Sequence, residues 1–267
     1  MAISSSAIGV FDSGVGGLSV LHHIKRTLPN ERLIYAADSG HVPYGDKSQS
    51  YIEQRSHYLT RFLISQGADA IVIACNTATA AAVASLREQF SLPIVGMEPA
   101  VKPAVAATKS GVVGVLATVG TLESARFAAL LERYGEEVEI VTQGCPGLVE
   151  LVEQGKLLDA RTRELIKLYT EPLLERGVDT LILGCTHYPF LAPLIREVVG
   201  GEITLVDTGA AVARQLQHRI QTELPTRIPF FAPARFFTSG DADSASRIMS
   251  LLWGKEVAAE NLPKEYM

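Results

Sequence analysis

The chain has 267 residues, 47% of them apolar, with a formal net charge of −5 and three cysteines. That length and apolar content suit one large or two small globular domains with a substantial core, and exclude a disordered chain. The acidic balance offers no basic footprint for nucleic acid, no run reaches the ~18 continuous apolar residues of a membrane helix, and three widely spaced cysteines make neither a disulfide framework nor a zinc site.

The first residues, MAISSSAIGVFDSG, lack the basic and apolar regions of a signal peptide, so a cytoplasmic chain with free thiols is expected. Residues 7–11 read as a buried strand that ends in Asp12 and Ser13. A GVGG loop follows and leads into a helix over 18–28. The glycines allow close backbone approach, but no Lys-Ser/Thr follows as in a Walker loop, and the spacing is not GxGxxG. Asp12 suits a substrate ammonium or a neighbouring thiol's proton, or equally a helix cap. His22 and His23 are adjacent and point apart on their helix, so they read as solvated. After a strand over 32–36, the turn-rich loop from Asp38 to Asp46 reads as a binding rim, with the Tyr44 hydroxyl and a Gly45 backbone donor for a carboxylate.

A helix is expected over 49–66 and a strand over 70–74; Cys75 then precedes a helix over 77–90. A strand over 93–95 closes this half near Met97. The second half runs strand 112–116, helix 123–134 and strand 138–141. Cys145-Pro146-Gly147 opens a further helix; Cys145 reads as structural and Glu153, carried on that helix, as solvated. Helix 159–176 and strand 180–183 lead to Cys185, followed by helix 189–199, with Pro189 in its first turn, and strand 203–206. Beyond Asp207, Pro225, Pro229 and Pro233 mark a loop, then a strand over 235–238, a helix over 241–253 and an exposed tail over 260–267.

The halves are copies. QGADAIVIACNT at 66–77 matches RGVDTLILGCTH at 176–187, so Cys185 falls 185 − 75 = 110 residues after Cys75 at the same place in a strand–loop–helix unit. Continuous apolar strands alternating with helices predict an α/β fold. Two similar parallel-sheet domains related by a pseudo-twofold axis are expected, with the active site in the cleft outside the strand carboxyl ends. One lobe would comprise residues 1–97 plus 208–267, the other 98–207.

A thiol at a helix N-terminus is favoured as thiolate, and two thiols facing one another suit removal of a proton from one face of a carbon and delivery to the other. Asn76, Thr77 and Thr186 at the same helix starts suit a carboxylate, with N-capping as their alternative role. His187 could exchange a proton with Cys185 or be an ordinary hydrogen-bonded histidine. No lysine stands out for a Schiff base, so two thiols favour a route without pyridoxal phosphate or metal.

These residues closely resemble the glutamate racemase family of the aspartate/glutamate racemase superfamily. The matching motifs are FDSGVGGLSVL, the D-S-x-x-x-P-Y-G loop from Asp38 to Gly45, ACNTATAAA around Cys75, GVLATVGT, LVEQG around Glu153, LGCTHYPFL around Cys185 and LVDTGAAVA. The resemblance implies cofactor-free interconversion of L- and D-glutamate that supplies D-glutamate for peptidoglycan. It implies that Cys75 takes the proton from D-glutamate assisted by Asp12, and that Cys185 takes it from L-glutamate assisted by Glu153 and His187. Glu153 thereby changes from a solvated residue to a functional one. Asp12, Ser13, Tyr44, Gly45, Asn76, Thr77, Thr118, Thr186 and His187 match positions that hold substrate. The family is often dimeric, so a homodimer is expected, without nucleic-acid or membrane partners. With a short run before the first strand, a regulatory N-terminal extension of the kind found in members that respond to a cell-wall precursor is not expected. Alternatives are an aspartate or hydantoin racemase, a non-catalytic amino-acid-binding module, and a hydrolase with one cysteine nucleophile.

Overall fold

The computed structural model describes residues 6–136 and 138–266; residues 1–5, Glu137 and Met267 lie outside that description. Apolar runs make two parallel sheets. The first is built from β1 (Ala7–Asp12), β2 (Leu33–Ala37), β3 (Ala68–Ile73) and β4 (Ile94–Val95), with β9 (Arg235–Thr238) and β10 (Ala259–Asn261) added at one edge. The second holds β5 (Val112–Ala117), β6 (Glu139–Gly144), β7 (Thr180–Leu183) and β8 (Thr204–Val206). The order β2-β1-β3-β4 recurs as β6-β5-β7-β8, so the duplication read from the cysteine motifs is a duplication of topology.

Register is copied too. Gly9 lies opposite Ile71 in the first sheet and Gly114 opposite Leu181 in the second, offsets of 114 − 9 = 105 and 181 − 71 = 110. Both glycines serve the same packing: a Cβ on Gly9 would lie 2.9 Å from Ile71 Cδ1, and one on Gly114 2.6 Å from Leu181 Cδ2. β1 and β3 are buried on both faces apart from Asp69, as parallel sheets require, because helices cover each side.

The helices of the first half are α1 (Leu18–Thr27), α2 (Gln49–Ser65) and α3 (Asn76–Gln89). The second half contributes α4 (Val101–Ala107), α5 (Val119–Leu122), α6 (Ala125–Tyr134), α7 (Leu148–Glu153), α8 (Ala160–Glu175) and α9 (Ala192–Val199). α10 (Gly209–Glu223), packed on α1, and α11 (Ala242–Trp253) complete the chain. α10 was absent from the sequence expectation, although Val212, Ala213, Leu216 and Ile220 trace its buried stripe.

Four expectations change. The helix expected over 123–134 is α6, which starts at Ala125 because Ser124 caps it by accepting from Phe127 N–H, and a short helix not expected, α5, precedes it, capped by Thr118 accepting from Thr121 N–H. The helix expected from Pro189 begins instead as a 3-10 turn, Tyr188–Leu191, and becomes α-helical at Ala192. The strand expected over 138–141 extends to Gly144, since β5 pairs with the polar Thr142 and Gln143 at this half-exposed edge. The tail is not free: Glu260 and Asn261 pair with β9, Leu262 is buried, and Tyr266 packs on Phe62 and accepts from Arg55 at 2.9 Å.

At the strand amino ends, Arg227 reaches Glu31 at 2.6 Å and Asp69 at 2.9 Å with its side chain 3% exposed. It ties the loop after α10 to the first sheet. Removing the cation leaves the buried Glu31 carboxylate unpaired, so Arg227→Met should destabilise the fold by about 3 kcal/mol, measured by denaturant unfolding. Among the described residues no helix is long and apolar enough to cross a membrane.

Candidate active site

The chemistry-bearing residues gather at the carboxyl ends of both sheets. Cys75 follows β3 and caps α3 in extended conformation, its sulfur accepting from Ala78 N–H at 3.4 Å. Its thiol donates to Ser13 Oγ at 3.7 Å, and Ser13 in turn donates to Asp12 Oδ1 at 3.3 Å. Asp12 ends β1 in full burial, where its other oxygen accepts from Gly17 N–H at 2.6 Å and from the Thr186 hydroxyl at 3.3 Å. Asp12 thus reaches Cys75 through Ser13 and touches the opposite half through Thr186.

The expected depression of the Cys75 thiol by its helix N-terminus needs correction. Burial, then the charge of Asp12, pushes the Cys75 thiol far above its ordinary value, although the Ala78 amide opposes this. Desolvation outweighs the helix end here. Burial likewise raises the Asp12 carboxyl, opposed by the charge of His187. Cys185 follows β7 but is not at an α-helix start, since the 3-10 turn Tyr188–Leu191 intervenes.

What Cys185 has is a histidine. His187 Nδ1 stands 3.6 Å from its sulfur, and His187 Nε2 stands 2.6 Å from Glu153 Oε1. The same carboxylate oxygen accepts from Val15 N–H at 2.6 Å, across the cleft. Glu153 ends α7 with its side chain 12% exposed, which overturns the solvated reading of it. Burial opposes charge on His187, but the bonds and charges of Cys185 and Glu153 win and hold its pKa well above the usual imidazole range. The native state therefore binds this proton more tightly than the unfolded chain does. The resulting stabilisation is complete below about pH 6.5 and is lost as pH rises through the native value. His187→Asn should flatten the alkaline fall of the melting temperature, read by thermal scans between pH 6 and 10.

The glycine loop has a steric purpose. A Cβ on Gly14 would overlap the Glu153 carboxylate, and one on Gly16 would overlap the His187 ring. The loop makes room for side chains of the other half rather than for a phosphate.

The remaining predicted residues surround the same space. Thr77 and Thr118 hydroxyls meet across the cleft at 2.9 Å, and both bond Thr121, at 3.1 and 2.9 Å; Thr121 escaped the sequence reading although it lies within the GVLATVGT motif. Asn76 is buried with neither Oδ1 nor Nδ2 given a protein partner, an arrangement that suits a polar ligand. The Tyr44 hydroxyl, expected to meet a carboxylate, instead donates to Asp38 at 2.5 Å, and Arg55 grips that aspartate with two further bonds. Gly45 abuts Thr118 across the cleft. Cys145 is buried, donates to the Gln143 carbonyl at 3.3 Å, and has its thiol pushed up to about 12 by burial.

Ser13, Asn76 and Cys75 thus line one side of a cavity whose other side carries Thr118, Cys185 and His187. It is closed to about 10 Å³, roughly the space of one water. A wider depression of about 740 Å³ on the outer face of α2, lined by Tyr51, His57 and Arg61, holds none of these groups and does not mark the chemistry. Among the described residues no cluster of three or more His, Cys, Asp or Glu side chains is placed to hold a metal.

Comparison with known proteins agrees with this layout. Residues 8–216 match the family model of Asp/Glu/Hydantoin racemase. A glutamate racemase of Ectopseudomonas mendocina is 60% identical over 255 residues, 95% of this chain and 97% of that protein. One from Pseudomonas aeruginosa is 56% identical over 95% of this chain and 96% of its own length. The crystal structure of glutamate racemase isoform RacE1 from Bacillus anthracis superposes with a TM-score of 0.88 at 34% identity, covering 97% of this chain and 98% of that one. Escherichia coli glutamate racemase, in complex with L-glutamate and the activator UDP-MurNAc-ala, gives 0.85 at 33% identity over 96% and 97% of the two chains. With duplicated sheets, a thiol from each and relatives matched along nearly its whole length, the chain belongs to the Asp/Glu/Hydantoin racemase family, among its glutamate racemases.

Proposed function

We propose that this chain interconverts L- and D-glutamate by a two-base route in which Cys75 and Cys185 work on opposite faces of the α-carbon. The observation that carries the proposal is the pair of thiols, one from each half, lining a single closed cavity. In the L-to-D direction Cys185, as thiolate, takes the α-proton and becomes a thiol. The electron pair left on carbon takes the proton of Cys75 from the other face, and Cys75 becomes the thiolate. The D-to-L direction is the reverse.

The electrostatics suit the state that receives L-glutamate: burial keeps Cys75 protonated, and a charged His187 stands beside Cys185. The carbanion-like transition state needs preorganised donors at the α-carboxylate. The Asn76 amide, which has no protein partner, and the Thr77 and Thr118 hydroxyls line the cavity and serve as those donors, while Ser13 and, behind it, Asp12 receive the ammonium. With the Tyr44 hydroxyl committed to Asp38, the backbone at Tyr44 and Gly45 is the donor to the side-chain carboxylate. Thr186 joins Asp12 to the Cys185 side. A cavity this tight admits glutamate only when the halves part, and closure then excludes water. The parting bodies are residues 1–97 with 208–267, and 98–207.

The close relatives support glutamate over aspartate or hydantoin, and a structure from Francisella tularensis, at 28% identity, holds D-glutamate. The route needs neither pyridoxal phosphate nor metal, and the enzyme is a cytoplasmic homodimer that supplies D-glutamate for peptidoglycan. Circular dichroism of pure L-glutamate and of pure D-glutamate, each incubated with purified protein without pyridoxal phosphate, tests this. Both signals should decay to zero; a signal stable in either sample rules the function out.

A further inference from the structure

Tyr35 is a fully buried residue of β2 that the mechanism above leaves unused. Its ring packs against Phe236 with centroids 6.4 Å apart, and its hydroxyl donates to the Gly14 carbonyl at 2.6 Å. That carbonyl shares a peptide unit with Val15 N–H, the donor to Glu153 Oε1 at 2.6 Å. Glu153 in turn meets His187 at 2.6 Å, and His187 stands 3.6 Å from the Cys185 sulfur. Hydrogen bonds in series polarise one another, so a donor on the carbonyl makes the amide of the same peptide a stronger donor.

Two glycines keep the path open. A Cβ on Gly14 would overlap the Glu153 carboxylate, and one on Gly17 would lie 3.0 Å from the Tyr35 hydroxyl. Burial, then the charges of Asp12, Glu153 and Cys75, pushes the Tyr35 phenol well above its ordinary value, so it remains a donor throughout the working range.

The geometry points to Tyr35 as a positioning residue for the Cys185 half of the reaction: it fixes the peptide between Gly14 and Val15, which fixes Glu153 and, through it, His187. This rests on the reading of Cys185 as one of two bases. Tyr35→Phe keeps the ring and its packing and deletes only the donor. It should lower kcat/KM about tenfold, equally in both directions because the equilibrium is unchanged. With α-deuterated L- and D-glutamate, the isotope effect should grow for the enantiomer that Cys185 deprotonates and shrink for the other, in the same sense as for Glu153→Ala. In a Glu153→Ala background Tyr35→Phe should have no further effect. 3-Fluorotyrosine placed at position 35 keeps the hydroxyl and makes it a stronger donor, so it should move the isotope ratio the opposite way. Unchanged isotope ratios, or effects of the two substitutions that simply add, would overturn the assignment. Failure of the two-base reading is seen separately, as racemisation surviving in Cys185→Ala with Tyr35 intact.

Discussion

Cys75→Ala and Cys185→Ala are each expected to abolish racemisation of both enantiomers, a loss of about 10⁴-fold or more in kcat/KM. Each direction uses both sulfurs, one to take a proton and one to give it, so neither variant should retain a one-way activity. Alanine removes only one atom from each 5% and 7% exposed site, and the fold should stay intact by far-ultraviolet circular dichroism. Cys145→Ala is the matched control. It is also buried, but its thiol bonds a backbone carbonyl and does not line the cavity that holds the paired sulfurs, so racemisation should persist. Turnover near the parent rate in either cleft variant contradicts the two-base scheme.

Gly16→Ala should cost about 100-fold in kcat. The added methyl would overlap the His187 ring at Nδ1, Cγ and Cε1, the edge that faces Cys185. The ring must move, and a displacement of about 1 Å at a reacting group is enough for a loss of this size. Backbone strain is not the cause, because Gly16 is not among the positive-φ glycines. Gly201→Ala makes the comparison, since nothing lies within 4 Å of its Cβ position, and it should behave as the parent. Steady-state kinetics in both directions with melting temperatures checks the pair. A Gly16→Ala enzyme within threefold of the parent would mean that His187 is not held where it matters.

The fold was legible because its signals are local and repeated. Apolar runs of strand length, a copied cysteine motif and turn residues between them fix the two parallel sheets, and the strand over 180–183 matches β7 residue for residue. What escaped was decided by partners distant in the chain. Glu153 looks like any acidic residue on a short helix until Val15, 138 residues earlier, donates to it. Only the family resemblance marked it. The burial that raises Cys75 comes from the closed cleft, which a helix-terminus argument does not contain. The Tyr44 hydroxyl is expected at substrate because the Asp38 that accepts from it is fixed by Arg55, which lies in α2 and outside their shared loop. The C-terminal run looked like a tail because its polar residues form an edge strand, whose pairing along β9 is invisible in composition.

The most direct test of thiols on opposite faces is mass spectrometry of the α-deuterium content of L- and D-glutamate, separated on a chiral column, after the first turnovers of L-glutamate in deuterium oxide. The D-glutamate formed should carry deuterium while the remaining L-glutamate keeps its protium, because one sulfur removes the substrate proton and the other delivers a solvent-derived one. D-glutamate that retains the original protium, or L-glutamate that exchanges as fast as product appears, would contradict the account.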